Sequence, residues 1–363
     1  MAWLLRVLKN WSWKWPEQKN KMDSMIKLSI CIATLNRGAL IGQTLDSIVS
    51  QLTGQVEIVI VDGASTDNTE EVVLSYRQRY ANVRYTRLAQ KGGVDQDYSR
   101  AVELAAGEYC WLFSDDDIIK AGAIDAVLGV LENSPGLVVV NAEIQNADLT
   151  QTLKPGSLDL TENTTYTKDE ADRLFRDTGN FLSFIGCVVV RRSMWDARDK
   201  KSYYGTLFVH MGVIFQQPIA EGAIVLAAPM IAIRYGNAMW TDKGFEVSLF
   251  KWPELIWSFA GIADAAKVQV CEREPWRNTA RLMLYRARGL YSGREYQKFL
   301  KGRMTTAQRL VAFAIARISA TFFNLLFSMY FSSLGRMHPN ARLTLVDLEN
   351  SKFNWKRFFA ATK

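Results

Sequence analysis

Three consecutive carboxylates, Asp115-Asp116-Asp117, follow the apolar run Tyr109-Cys110-Trp111-Leu112-Phe113 and a single serine. Adjacent carboxylates repel one another, so a fold keeps them together at a cost unless a cation or hydrogen-bond donors compensate. Their oxygen ligands suit Mg²⁺ or Mn²⁺, which take one or two protein carboxylates and complete the shell with water and phosphate oxygens. An acidic turn capping the next helix has the same composition. Asp62 ends a second apolar run, 56–61 (VEIVIV), and is followed by Gly63. A carboxylate so placed can accept hydrogen bonds from a base or a ribose, and an ordinary Asp-Gly turn reads the same. Thr34-Leu35-Asn36-Arg37 closes a third run and brings backbone donors and a cation to where a nucleotide could lie. Three polar clusters, each at the end of an apolar run, argue for one common site.

The elements that must position them alternate. Leu28–Thr34, 56–61, Val83–Arg87 and Tyr109–Phe113 are short, β-branched or aromatic runs that read as buried strands, with helical spacing over 38–51, 66–80 and 94–106 between them. Asp67 or Thr66 is placed to cap the second helix. After the triplet the pattern predicts a helix over 121–132, strands over 137–142, 184–190 and Ala223–Arg234, and a helix over 206–217. The polar stretch 145–180 reads as a loop region with little core. This order calls for a mostly parallel central sheet with helices on both faces, whose ligands collect at the carboxyl ends of the strands.

The segment Ile30-Cys31-Ile32-Ala33-Thr34-Leu35-Asn36-Arg37, then Val59-Ile60-Val61-Asp62-Gly63-Ala64-Ser65-Thr66-Asp67, then Ala106-Gly107-Glu108-Tyr109 leading into the triplet, resembles the family 2 inverting glycosyltransferases of GT-A fold. The likeness spans roughly residues 27–240. Within that family, Lys91-Gly92-Gly93-Val94-Asp95-Gln96-Asp97-Tyr98 and Phe113-Ser114-Asp115-Asp116-Asp117 look most like bacterial O-antigen transferases of the abequosyltransferase type. The resemblance implies a Rossmann-like α/β catalytic domain, a nucleotide-diphosphate sugar donor, inversion, and Mn²⁺ or Mg²⁺ as cofactor. It also implies that Ala33, Thr34, Asn36 and Arg37 border the nucleotide, that Asp62 holds the base, that Asp115 faces the ribose, and that Asp116 or Asp117 binds the metal. A metal bridging the diphosphate neutralises charge on the leaving nucleotide.

Two departures from the family pattern matter. Where many members have Ala-Arg-Asn, this chain has Asp97-Tyr98-Ser99, so the usual Arg contact is absent or comes from Arg100. Where many have a Glu-Asp pair supplying the base, it has Tyr203 to Gly212, with His210 inside. A neutral imidazole can take an acceptor hydroxyl proton; His210 could equally orient the acceptor, reach the metal or simply pack. Asp95, Asp97 and Glu221 are the other base candidates. Arg234 and the loop with Asn237 and Trp240 follow the last strand, where a cation could hold the diphosphate and a ring could stack on a sugar.

The formal net charge of +7 is uneven: residues 1–21 carry five Lys/Arg and one Glu, residues 301–363 carry ten Lys/Arg and two Asp/Glu, and the difference leaves about −5 between them. A mildly acidic body with basic ends does not resemble a nucleic-acid binder; its ends suit an anionic lipid surface. The leader, with Trp3, Trp11, Trp13 and Trp15 among basic residues, lacks the apolar core of an export signal. Residues 318–334 are uncharged, at the lower limit for spanning a bilayer, and an interfacial or hairpin-like helix fits them better than a span or a soluble cap. Four scattered cysteines read as reduced, packed thiols. The expected organisation is a leader over 1–24, a catalytic domain over 25–244 and a helical, membrane-associating extension over 245–363. The expected function is sugar transfer to a polyprenyl-diphosphate-linked glycan at the cytoplasmic face of the inner membrane, for bacterial surface polysaccharide, by a peripheral enzyme. A non-catalytic relative that binds a nucleotide sugar or serves as a scaffold, and a sugar nucleotidyltransferase, are the alternatives. The latter needs a Gly-rich, Arg- and Lys-containing loop after the first strand that this chain lacks.

Overall fold

A computed structural model describes residues 26–237 and 243–360. Among the described residues ten strands join one sheet: β1 (Leu28–Thr34), β2 (Val56–Asp62), β3 (Val83–Arg87), β4 (Tyr109–Phe113), β5 (Ile118–Ile119), β6 (Leu137–Gln145), β7 (Thr152–Lys154), β8 (Thr164–Tyr166), β9 (Val188–Arg191) and β10 (Ala223–Arg234). Their main order is β3-β2-β1-β4-β9-β6-β10-β5. β1 pairs in parallel with β2 and β4, β2 with β3, and β6 with β10. β9 runs antiparallel between β4 and β6.

The unbroken apolar runs of β1, β2 and β4 become strands covered on both faces, as parallel strands must be. Ile30, Ile32, Ile58, Ile60, Trp111 and Phe113 face a core shared with Ile41, Leu45 and Ile48 of helix α1 (Ile41–Val49) and Val73 of α2 (Thr69–Arg79). Alternate residues, among them Cys31, Val59, Val61 and Leu112, face the opposite core with Tyr98, Ala101 and Val102 of α3 (Val94–Leu104). Each fully buried Val, Leu, Ile or Phe contributes about 1.5–3 kcal/mol, so both faces are well anchored.

Several expectations need correction. The segment 145–180 is not a bare loop: it contributes β7, β8 and α4 (Ala171–Thr178), with Tyr166, Leu174 and Phe175 buried in the core. The expected strand over 184–190 shortens to β9, because 3-10 turns at Phe181–Ser183 and Ile185–Cys187 precede it. β10 passes through Pro229 by a register shift between Leu226 and Ile231, which spares a central strand the missing N–H. Nor does packing divide at residue 244. Trp252, Leu255 and Ile256 of α5 (Trp252–Ser258), and Ala266 and Val270 of α6 (Asp264–Val270), belong to the same core as the sheet. A third core joins Phe245 and Leu249 to the remaining C-terminal helices. The four cysteines are free thiols, three of them buried.

Candidate active site

The loops after β1 and β2 are laced together by short polar side chains. Asn36 has φ 55°, a left-handed conformation that Asn tolerates, and its Oδ1 accepts from Thr66 N–H at 2.7 Å while its own N–H donates to Ser65 Oγ at 2.9 Å. Arg37 N–H donates to Thr69 Oγ1 and Gly38 N–H to Asp67 Oδ2. Asp67 Oδ1 also accepts from Thr69 N–H, so it helps to close the entry to α2, whose N-cap residue is Asn68.

This lacing delivers Arg37 to the acidic triplet. Its Nε stands 3.4 Å from Asp115 Oδ1, its Nη2 3.3 Å from Asp116 Oδ2, and its Nη1 donates to Asn237 O at 3.3 Å. The three triplet carboxylates are not equivalent. Asp117 has one oxygen on Ser114 Oγ–H and the other on Arg234 N–H at 2.7 Å. Asp116 offers its carboxylate to Arg37 while its backbone carbonyl accepts from Arg234 Nε. Burial pushes Asp115 up to about 7, with Asp116 adding to the rise, and burial pushes Asp117 up to about 8. Three buried donors around this rim make only loose contacts with the triplet: Thr34 Oγ1 and Arg37 Nε toward Asp115, and Asn237 Nδ2 toward Asp116. Such donors suit an anion.

Other expected residues fall elsewhere. Ala33 is half-buried at the end of β1. Asp62 is fully enclosed, and its oxygens accept from Ser65 N–H and from Tyr85 Oη–H, both at 2.7 Å. Arg234 is spent on structure: besides Asp116 O it donates to Ala147 O and Gln43 Oε1. Arg100 lies on the exposed side of α3 paired with Glu103 and faces no part of the triplet. Tyr98, in the place of the family Arg, turns inward and donates to Phe113 O at 2.9 Å. Trp240 lies outside the described residues.

The base candidates move most. His210 is fully buried, with Nε2 2.7 Å from Leu182 O, and burial lowers its pKa to about 4. An imidazole so enclosed cannot meet an acceptor hydroxyl; it is a packing residue of α7 (Val209–Phe215). Asp95 accepts from the N–H groups of Gly205, Leu207 and Val209 at 2.8, 3.0 and 3.1 Å, which makes it the anchor of that turn. Glu221 precedes β10 and therefore lies at the amino end of the strand, opposite Arg234 and the triplet. Asp97 is buried near the start of α3, where its carboxylate takes a backbone hydrogen bond from Gly93 and faces Lys91. Sequence reasoning missed Ser65, Tyr85, Gln43 and Ser114 as partners; only Ser114, next to the triplet, had a positional signal.

Residues 29–197 match the family model described as glycosyl transferase family 2. The chain carries a family 2 glycosyltransferase domain. The abequosyltransferase RfbV of Salmonella typhimurium is 29% identical over 230 residues, 60% of this chain and 69% of that protein. The GalNAc(5)-diNAcBac-PP-undecaprenol beta-1,3-glucosyltransferase of Campylobacter jejuni is 29% identical over 105 residues, 29% of this chain and 34% of that one. Among solved structures, S. aureus TarS 1–349 in complex with UDP-GlcNAc superposes with a TM-score of 0.53 at 17% identity, covering 93% of both chains. That likeness concerns the fold, which is the GT-A arrangement that the family resemblance implies. The matched residues include Arg37 and the triplet, and β10, beyond them, brings Asn237 to the same carboxyl rim of the sheet.

Proposed function

We propose that this glycosyltransferase moves a sugar, with inversion, from a nucleoside-diphosphate donor to a hydroxyl of a glycan carried on a lipid diphosphate, in bacterial surface polysaccharide synthesis. The name of the undecaprenol-linked glucosyltransferase of Campylobacter jejuni supports the acceptor class. The observation that supports the donor reading is the cluster of loosely held buried donors, Thr34 Oγ1, Arg37 Nε and Asn237 Nδ2, gathered against Asp115 and Asp116 at the strand ends.

Among the described residues no three metal-ligating side chains converge on one point. Mg²⁺ or Mn²⁺ needs only one or two carboxylates when phosphate oxygens complete the shell. Asp116 fits that use, with Asp115 beside it, because its carboxylate is held only by a long ion pair with Arg37 and the Asn237 side chain, whereas both oxygens of Asp117 are taken by short hydrogen bonds. Bound there, the cation would supply Lewis-acid stabilisation of the departing diphosphate. Arg37 and Asn237 orient the diphosphate, Arg37 offsetting its charge and the Asn237 amide donating a hydrogen bond, and Arg234 holds the triplet turn in place through Asp116 O and Asp117. Asp62 keeps the β2 turn closed beside the nucleotide.

A donor-hydrolysis assay with Mn²⁺ or Mg²⁺ tests the reading. Metal-dependent release of nucleoside diphosphate is expected from the wild type and should fall at least about a hundredfold in Asp116→Ala, the scale of losing one charge-stabilising group. Full metal-dependent release from a folded Asp116→Ala sinks the metal assignment; no release at all from the wild type favours a binding protein.

A further inference from the structure

We infer that Asp347, in the helix Ala341–Asn350, is a positioning residue of the donor site: through Tyr235 it fixes Asn237 against the diphosphate. The inference rests on the donor reading above and gives the C-terminal helices a part in that same site.

The last strand delivers a short, weakly braced segment to the rim. Tyr235 N–H donates to Gln145 O at 2.9 Å and so ends the pairing of β10 with β6. Gly236 then turns at φ 102°, a left-handed conformation suited to glycine, and offers no side chain to brace the backbone. Asn237 follows, its carbonyl accepting from Arg37 Nη1 at 3.3 Å and its amide turned toward Asp116. Both of these partners are committed to the donor, Arg37 to the diphosphate and Asp116 to the cation, so the brace has to come from outside the sheet.

The C-terminal helices supply it. Tyr235 Oη–H donates to Asp347 Oδ2 at 2.9 Å, and the same oxygen is ion-paired with Arg288 Nη2. Arg288 closes the helix Thr279–Ala287, where a cation also faces the negative end of the helix dipole. The two charged side chains are mostly buried, at 24% and 20% exposed. A pair this enclosed adds little net stability over an apolar contact of the same size, but it holds one geometry. The pair is seated in turn by Asn324, fully buried in the helix Ala320–Ser332, whose Nδ2 donates to Leu348 O at 2.9 Å and to Ala287 O at 3.2 Å. One side chain thus holds the backbone beside Asp347 and beside Arg288. A Cβ on Gly236 would lie 3.3 Å from Asn350 Nδ2, so the end of the same helix also stands against the turn. Hydrogen bonds are directional, and this chain of them sets the orientation of Tyr235 two residues from Asn237.

Calorimetry on the full chain with Mg²⁺ and UDP, GDP, CDP and dTDP first identifies the diphosphate that binds tightest. Asn237→Ala should weaken that diphosphate about tenfold, the scale of one hydrogen bond to a charged group. Asp347→Ala should weaken it by a similar factor. The double variant should match Asn237→Ala to within about twofold, because Asp347 acts through Asn237. A general loosening of the fold would instead add to the loss, and a double variant weakened about a hundredfold, the product of two independent effects, overturns the inference. Unchanged affinity in either folded single variant overturns it as well and leaves the rest of the donor reading in place. Where Asp347→Ala fails to fold, Tyr235→Phe, which removes one hydroxyl and keeps the ion pair, takes its place with the same expectations. Failure of all four diphosphates to bind the wild type removes the donor reading and the inference together.

Discussion

Asp97 and His210 were both base candidates on sequence, and their surroundings give them opposite pH signatures in stability. Burial, with Asp62 nearby, pushes Asp97 up to about 6, so between about pH 4 and pH 6 the native state holds a proton that the unfolded chain has released. Stability then falls as pH rises through that window, by up to about 3 kcal/mol for a shift of two units. His210 is held down to about 4, so the unfolded chain binds a proton that the native state refuses, and stability rises with pH from about 4 to 6.5 by a similar amount. The two trends offset in the wild type. Asp97→Asn should therefore be the more stable protein at pH 8 and gain little at pH 5, as read by thermal unfolding; an equal gain at both values refutes the assignment. His210→Gln should lose Tm at pH 8 and lose much less at pH 5. At this scale the sequence was legible for position, since Asn36, Arg37 and the triplet stand together at the strand ends as their place after a strand requires. It was illegible for His210, Asp95 and Asp97, because whether a polar side chain points into a core, a turn or a crease depends on partners from other elements, such as Leu182 for His210, Gly63 for Asp97 and Gly205 for Asp95.

The elements were legible nearly throughout, since β1, β2 and β4 must be covered on both faces and their periodicity says so. What the pattern could not show is how the turn between Tyr203 and α7 is built. Gly205 and Leu207 have φ of 84° and 75°, and at Leu207 a side chain with a Cβ sits in a conformation that disfavours it. Asp95 pins this turn to α3 by accepting three of its N–H groups. Asp95→Ala should orphan them together and lower stability by about 2–4 kcal/mol, seen as a fall in the urea midpoint. A catalytic base would instead lower kcat with the midpoint unmoved, so the pair of measurements separates an anchoring role from a chemical one. The same reasoning explains why the segment 145–180 was misjudged. Its polar composition hides Tyr166, Leu174 and Phe175, three core residues spaced among surface positions.

Over the whole molecule the informative asymmetry is at the C-terminal end. Helices α8 (Thr306–Arg317) and α9 (Ala320–Ser332) meet at 92°, and among the described residues no single helix is long and apolar enough to cross a membrane. α9 is apolar around its circumference, yet only one side is covered: Phe323 and Phe331 are packed in the third core, while Phe322, Leu326 and Met329 are 56%, 48% and 62% exposed. Leu310 of α8 continues the exposed face at 67%. Arg317 and Arg336, both exposed, flank it. An uncovered apolar stripe beside cations suits the interface of an anionic bilayer, where apolar side chains enter the acyl boundary and guanidinium groups stay with the headgroups. We propose that this face seats the enzyme on the leaflet that carries its lipid-linked acceptor. Deleting residues 301–363 cannot test this, because Ala312, Ile315, Phe323 and Leu348 belong to the third core and their loss would unfold it. Replacing Leu310, Phe322 and Met329 by Glu together leaves that core intact. The full chain should float with vesicles of phosphatidylglycerol and phosphatidylethanolamine and be weakened by salt, and the triple variant should stay in solution with its Tm within a few degrees of wild type. Flotation of the triple variant equal to wild type would remove this face from consideration. Binding that ignores salt and lipid charge would keep the apolar stripe and discard the part assigned to Arg317 and Arg336.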